Sequence, residues 1–284
     1  MADISRPTLP ASISQDIWAK TLEDSAVMQM ARRVDLPGNG LAIPVITGEP
    51  SADWVEETGV KPVSNSTVGI KTMQPYKLAV IETVSNELVH DLPRLYDALR
   101  ERLPFALAKK FDATVFGSIA PGSNFDVLGG ATAVALGTDV YGALVTVDGN
   151  IASAGGVMDG IVMSPQGKTK LLNAVDGVDR PLFIDTVANS TIPTILGAPV
   201  RYSRGVYAAG TPDQLGFAGD WTHAMYGVVE GIEIAISDQA SLTYTDSNSQ
   251  TVTLNLWQRN MTAIRAEFRI GFVADTNYFQ KITA

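Results

Sequence analysis

Few side chains in this sequence could carry catalytic or metal chemistry, and those few are poorly grouped. The chain has two histidines, His90 and His223, and no cysteine. A zinc site would therefore need both histidines together with carboxylates. We instead expect His90 to be a capping or surface residue at a helix start and His223 to be structural. Disulfides and thiolate metal centres are excluded.

The sequence contains Gly-Lys-Thr at 167–169, which matches the end of a phosphate-binding loop motif. That motif also needs a glycine five residues before Gly167, where Val162 stands. We therefore favour a turn that starts a helix over a phosphate site. The G-x-S-x-G elbow of serine hydrolases is also missing from the sequence.

Glu56 and Glu57 are adjacent carboxylates beside Trp54. Neighbouring side chains of an extended segment point to opposite faces, so the two form a poor acid–base pair. They suit separate contacts with solvent or with another molecule. With no convergent polar site in the sequence, we predict neither enzymatic activity nor a cofactor or metal.

Composition places the chain among globular proteins. Its 284 residues are 45% hydrophobic and 18% charged, enough for one large domain or two smaller ones. The net charge of −9 argues against a sequence-reading nucleic-acid binder, which needs a basic face, but leaves passive contact open. The N-terminus lacks a signal-peptide pattern, and no apolar run is long enough for a membrane span. We expect synthesis in a cytoplasm.

An unusual stretch lies between two short apolar runs at Leu41–Ile46 and 78–84. Both runs have the length and β-branched content of strands. About thirty residues rich in Gly, Pro, Ser, Thr and charge separate them, too few of them apolar to build a core. An isolated hairpin is marginally stable in water. We therefore predict a two-stranded arm that is ordered by packing on a neighbouring molecule.

A long helix is predicted over residues 93–117, capped by Asp91 and ended by Gly117. Its apolar stripe recurs every four residues at Leu95, Leu99, Leu103, Leu107 and Phe111. Pro104 lies inside the helix and should bend it. Such a helix would be about 37 Å long.

A long strand is predicted near the C-terminus, where apolar residues alternate with charged ones. The apolar positions are Ile264, Ala266, Phe268, Ile270 and Phe272. Ten residues would span about 33 Å, close to the length of the helix. A helix lying along a sheet predicts an α+β layer. A short helix from Ser12 or Ser14 through Met30 is predicted in the first forty residues.

Several motifs, in this order, resemble the major capsid proteins of tailed bacteriophages with the Hong Kong 97 fold. They are Ile43-Pro44, the run from Ala52 to Glu56, the run from Val84 to Leu88, the helix at 93–117, GIVMSPQGKTKLL, ILGAPVRYSR, GFAGDW and LWQRNMTAIRAEFRIGFVAD. The resemblance covers essentially the whole chain. It implies an N-terminal arm (1–40), an extended loop (41–84), a peripheral domain with a spine helix (85–117 and 237–284) and an axial domain (118–236).

The resemblance also implies a function. Such subunits assemble as hexamers and pentamers into an icosahedral head that encloses double-stranded DNA, which they contact non-specifically. The extended loop lies over a neighbouring subunit, and the residues we assign to that contact are Trp54, Glu56, Glu57, Lys61 and Lys71. A portal protein and a decoration protein are further partners that the family implies. The location would be the virion, after assembly in the host cytoplasm.

Two departures from the family pattern carry expectations. The arm begins within about ten residues of Met1, where many members carry a scaffolding region, so we expect a separate scaffolding protein. Some members crosslink a loop lysine to a neighbour's asparagine, and we expect no crosslink here.

The alternatives to a capsid protein are an encapsulin, a cellular compartment shell of the same fold, and a virion decoration or tail component. The contents of the particle distinguish the two shells: a capsid holds genomic DNA, whereas an encapsulin holds a cargo enzyme.

Overall fold

The computed structural model describes most of the chain. The described residues are 20–21, 25–46, 54–55, 57, 61, 63, 68–89, 92–175, 180, 182, 194–229, 231–246 and 249–284; side chains at 45–46, 68 and 88–101 are outside the description. Ser12, Ser14, Glu56, His90 and Asp91 therefore lie outside the described residues. No helix in the described part is long and apolar enough to cross a membrane.

Helices and strands alternate irregularly along the chain. The helices are α1 (Ala26–Met30), α2 (Asn86–Val89), α3 (Leu92–Val115), α4 (Val140–Ser153) and α5 (Pro165–Leu172). The strands are β1 (Arg32–Asp35), β2 (Leu41–Ile46), β3 (Val68–Met73), β4 (Tyr76–Ser85), β5 (Thr132–Ala135), β6 (Gly160–Met163), β7 (Thr194–Ile195), β8 (Ala198–Tyr202), β9 (Gln214–Gly219), β10 (Ala224–Val228), β11 (Glu233–Ser237), β12 (Ser241–Thr245), β13 (Thr251–Asn255), β14 (Met261–Ala274) and β15 (Phe279–Thr283).

The first sheet is built around β14, which runs for 14 residues rather than the ten predicted. It pairs antiparallel with β4 along one side and with β10 and β11 along the other, and β1 lies parallel beside β10. The alternating apolar residues predicted in β14 are all buried. They pack against α3, so the predicted α+β layer of helix on sheet is confirmed.

Helix α3 starts and ends within two residues of the predicted range. Leu103, Leu107 and Phe111 of the predicted stripe are buried, whereas the side chains of Leu95 and Leu99 are outside the description. Pro104 lies inside the helix, and the bend that we expect there stays a prediction. Phe111 meets Phe272 of β14 edge to face, with ring centroids 6.5 Å apart.

The second sheet has the strand order β5-β15-β9-β6-β8-β7. Helices α4 and α5 share an apolar core with one face of it. Its other face contributes Val162, Phe217 and Phe279 to the core that contains α3 and β14. One continuous apolar core thus joins the two sheets.

Each sheet joins strands that are distant along the chain, and the domain boundaries predicted from the sequence stay a prediction. Strand β10 falls in the predicted axial segment 118–236 yet lies in the first sheet with β14. Strand β15 falls in the predicted peripheral segment 237–284 yet lies in the second sheet between β5 and β9. Long-range pairing, and not position along the chain, decides which sheet a strand joins.

Candidate assembly surfaces

The predicted arm is present as a hairpin of β2 and β3, which pair over six positions from Leu41–Met73 to Ile46–Val68. The partner of β2 is thus the lysine-containing strand Val68–Met73. The second apolar run of the sequence analysis, 78–84, lies within β4, which pairs with β14 in the first sheet. The hairpin therefore departs from the body of the protein at residues 74–75.

Lys71 fastens the hairpin to the end of the first sheet. Its Nζ lies 2.9 Å from Asp126 Oδ2 and donates a hydrogen bond to the carbonyl of Ala274 at 2.7 Å. The amide of Ala274 donates to the same Asp126 oxygen at 3.1 Å. This ammonium is therefore used within its own chain, and the contact with a neighbour that we assigned to Lys71 stays a prediction.

Two glycines let the base of the hairpin lie directly on the first sheet. Gly227 and Gly271 are opposite each other in β10 and β14. A Cβ on Gly271 would lie 2.8 Å from both the carbonyl oxygen of Gln74 and Cγ of Met73, and one on Gly227 would lie 2.8 Å from Sδ of Met73. Met73, Leu36 and Val273 fill the contact as a small buried cluster.

We expect Gly271→Ala to loosen this contact, because the new methyl would meet backbone at Gln74 as well as the Met73 side chain. The free energy of unfolding should fall by about 1–3 kcal/mol, the usual range for overpacking, with faster amide exchange at residues 73–74. Urea denaturation and hydrogen exchange measure both. Gly231→Ala is the matched control, since a Cβ there meets nothing within 4 Å. Equal behaviour of the two variants would contradict the prediction.

The described residues between β2 and β3 present their side chains to solvent. Trp54 is 105% exposed and Val63 is 88% exposed. Glu57 and Lys61 are exposed as well, while Glu56 is outside the described residues. Single exposed apolar residues are common, but a fully exposed tryptophan contributes nothing to the packing of its own chain. The residues predicted as contacts with a neighbour stay predictions.

The arm before β1 is fastened by a buried carboxylate that the sequence analysis missed. Asp112 of α3 accepts hydrogen bonds from the hydroxyls of Ser25 (2.7 Å) and Ser203 (2.6 Å). It also accepts from the amides of Ala26 (3.0 Å) and Val27 (3.4 Å) at the start of α1. Burial raises the pKa of the Asp112 carboxyl, and these four donors oppose that shift. We call Asp112, Ser25 and Ser203 the arm latch.

A second hairpin, which the sequence analysis did not single out, is formed by β12 and β13. Its base packs as a small cluster that includes Leu254, Leu256 and Ala263. Tyr244 on it and Trp257 just after it are 50% and 71% exposed. Among the described strands, β12 and β13 pair only with each other and stay outside the two large sheets. Which strands stay outside a large sheet cannot be deduced from local sequence.

The positions considered for chemistry have structural partners. Gly167 lies inside α5, and its amide donates to Oγ of the helix cap Ser164 at 3.0 Å. The ring of His223 stacks on Tyr278 with centroids 3.8 Å apart. Within the described ranges, no group of three or more His, Asp or Glu residues could hold a metal ion.

Comparison with known proteins gives one consistent family. The model of the phage capsid family matches residues 6–284. The "Probable major capsid protein gp17" of Mycobacterium phage L5 is 30% identical over 290 residues, covering 95% of this chain and 87% of that protein. The "Major capsid protein" of Staphylococcus phage 80alpha is 24% identical and covers 97% of this chain and 84% of its own length.

Solved structures match the fold over nearly the whole chain. A structure from Gordonia phage Cozz has a TM-score of 0.69 at 26% identity, covering 92% of this chain and 86% of that one. One from Microbacterium phage Oxtober96 has a TM-score of 0.73 at 19% identity, covering 100% and 94%. The similarity in fold thus extends beyond the similarity in sequence.

Proposed function

This chain belongs to the phage capsid family, and from that membership we propose that it is the major capsid protein of a tailed bacteriophage, a subunit that assembles into the head shell. The family match over residues 6–284 supports this, as do the relatives named as major capsid proteins. The α+β fold of the Hong Kong 97 type predicted from the sequence is confirmed by the structural matches. The encapsulin alternative is not favoured by these relatives.

The observation that carries the proposal is the hairpin of β2 and β3. Its base is fixed by Lys71, Asp126 and Met73, whereas Trp54 near its tip is fully exposed. A hairpin that is fastened at its base and carries a fully exposed tryptophan between its strands suits a contact with a second copy of the chain. Repetition of such a head-to-tail contact closes into rings. We infer hexameric and pentameric rings of this kind as the units of the shell.

The remaining partners belong to the proposal. We propose that the shell encloses double-stranded DNA through non-specific contacts, that a separate scaffolding protein guides assembly, and that a portal protein occupies the shell. A decoration protein is a further proposed partner. Assembly in the host cytoplasm and a final location in the virion follow from this role, which is structural and not enzymatic.

Electron microscopy of particles tests the proposal directly. The chain, expressed with the scaffolding protein of its phage, should yield closed shells with hexameric and pentameric rings. Shells recovered from virions should contain DNA, whereas small shells filled with an enzyme would favour the encapsulin alternative. Chains that stay monomeric under conditions where the phage itself assembles would overturn the proposal. A ladder of multimers on a denaturing gel would show the crosslink that we do not expect.

We expect Trp54→Ala to weaken the shell without weakening the subunit. A large aromatic at an interface contributes about 2 kcal/mol or more, equal to roughly a 30-fold loss of association for each contact. Shells should therefore dissociate at lower denaturant concentration, as followed by light scattering. The unassembled subunit should unfold at the same urea concentration as the original protein, because Trp54 is 105% exposed in it. Trp54→Phe is the matched control and should retain most of the association.

A further inference from the structure

The exposed face of the second half of α3 carries cations that have no ion-pair partner among the described residues. Lys109 and Lys110 of the helix are exposed, and so is Arg204, which follows strand β8. The ion pairs found in the described part of the chain involve none of these three side chains. In a chain with a net charge of −9, most cations have acids to pair with. We call Lys109, Lys110 and Arg204 the basic face.

The fold places Arg204 directly against the helix. A Cβ on the next residue, Gly205, would lie 2.8 Å from the carbonyl oxygen of Lys109 and 2.8 Å from Cβ of Asp112. The backbone at Gly205 therefore touches α3, and the arm latch fastens the same segment. The guanidinium carbon of Arg204 lies 5.6 Å from the centroid of the Phe105 ring, one helical turn before Lys109. The three cations thus share one surface.

Neither the helix dipole nor pairing within the helix accounts for the two lysines. Cations stabilise a helix from its last turn, and the last turn of α3 contains no basic residue. The residues three and four positions from Lys110 are uncharged. Lys109 has one acid at such a position, Asp112, which is buried and accepts four hydrogen bonds from other residues. Neighbouring like charges repel each other, and an anion from outside the chain would relieve that repulsion.

The surface around these cations is open to an extended ligand. Ala106 and Ala113 are exposed on the same stretch of the helix, so only short side chains lie next to the long cationic ones. The next cation along α3, Arg102, is already paired with Glu82 at 3.2 Å. Cations on the convex surface of a helix, with small residues between them, suit the phosphates of an extended polyanion.

We propose that the basic face binds phosphate groups of the packaged duplex DNA and therefore faces the interior of the shell. This rests on the proposed capsid function and names the surface through which the subunit meets its DNA. Lysine and arginine neutralise backbone phosphates without reading sequence. The contacts of one subunit are weak, but the shell repeats them with every copy, so that they act together along one duplex. The rest of the acidic chain repels DNA, which confines the contact to this face.

The basic face fits a duplex better than it fits an acidic segment of a partner protein. A stable peptide contact is centred on large apolar anchors that fill pockets. Phe105 is the large apolar residue here; it is 40% exposed, and the guanidinium of Arg204 lies over its ring. The exposed neighbours at 106 and 113 are alanines. Phosphate binding needs the cations alone.

Lysine labelling of particles tests the contact. DNA-filled heads and heads emptied of DNA are acetylated, and mass spectrometry then measures the rate at which each lysine reacts. Lys109 and Lys110 should react about 5-fold more slowly in filled heads, because phosphates would cover their ammonium groups. Lys77 is the internal control: it is exposed on the side of the first sheet that faces away from α3 and should react equally in both particles.

A matched pair of double variants measures the contribution of the charges. Lys109→Gln combined with Arg204→Gln should make the binding of a short DNA duplex by unassembled subunits less sensitive to salt. The slope of log K against log salt should become shallower by about 1.8, or about 0.9 for each lost phosphate contact. Arg259→Gln combined with Arg269→Gln removes the same charge from exposed positions elsewhere and should leave the slope unchanged. Fluorescence anisotropy of the labelled duplex at low salt gives the association constants.

The outcomes separate this contact from the capsid function. Equal labelling of Lys109 and Lys110 in filled and emptied heads, or protection of Lys77 instead, would overturn the contact while the capsid function stands. Protection in precursor shells that hold scaffolding protein, but not in DNA-filled heads, would assign the basic face to a protein partner and also overturn it. Equal salt slopes for the two double variants would attribute DNA binding to net charge and overturn it as well. If no heads form, the capsid function itself fails.

Discussion

Asp112→Ala is expected to release the N-terminal arm and to destabilise the subunit by about 3–5 kcal/mol. The substitution leaves two hydroxyls and two amides without their acceptor in a fully buried position, and each buried donor left unsatisfied costs about 1–3 kcal/mol. The donors at Ser25, Ala26 and Val27 belong to the arm. Urea denaturation of the unassembled subunit measures the loss, and limited proteolysis before residue 32 measures release of the arm.

Two milder variants define what the carboxylate does. Ser203→Ala removes one donor to Asp112 and leaves the buried Gly205 amide without its acceptor, but it keeps the arm contacts in place. We therefore expect a loss of about 1–3 kcal/mol and an arm that stays protected. Asp112→Asn keeps the shape of the side chain but turns an N–H₂ group towards the donors. Its loss of folding stability should lie between those of Asp112→Ala and Ser203→Ala. Unchanged protection of the arm in Asp112→Ala would show that apolar packing of Val27 and Met28, both buried, holds the arm without the latch.

The latch also shows why a single sequence predicts only part of this structure. The helix stripe at Leu103, Leu107 and Phe111 and the alternation in β14 follow from local periods of 3.6 and 2, so they were predictable. Asp112 lies one position beyond Phe111, and its place in the sequence gives no sign of partners 86 or 91 residues away. Long-range partners of this kind require the folded chain.

The assembly surfaces, too, could be predicted from the sequence only in part. The lack of a core between residues 46 and 78 predicted a projecting arm, because too few apolar residues can be buried there. The second strand of the arm could not be identified from the sequence, because that requires knowing which strands pair. In the structure β3 pairs with β2, whereas β4 pairs with β14. Glu267 occupies one of the alternating charged positions of β14, yet it is buried, because Lys77 and Arg265 satisfy its charge from neighbouring positions.

Phe116→Ala is expected to have an effect as large as loss of the latch, because this ring joins the end of α3 to the second sheet. Phe116 follows the last residue of α3, is fully buried, and stacks on Phe217 of β9 at 5.0 Å. It also meets Trp221 edge to face at 6.3 Å, and Trp221 packs on Phe279 of β15 at 5.2 Å. Removing the ring would leave a cavity between α3 and the second sheet, at a cost of about 3–5 kcal/mol.

Phe105→Ala provides the matched control on the same helix. Phe105 is 40% exposed and lies near Arg204, so its loss should cost under about 1 kcal/mol. For Phe116→Ala, the midpoint of urea denaturation, followed by tryptophan fluorescence, should fall further than for Phe105→Ala. Equal shifts for the two phenylalanines would mean that other contacts hold α3 on the second sheet. A selective loss at Phe116 would show that this aromatic contact helps to hold α3 on the second sheet.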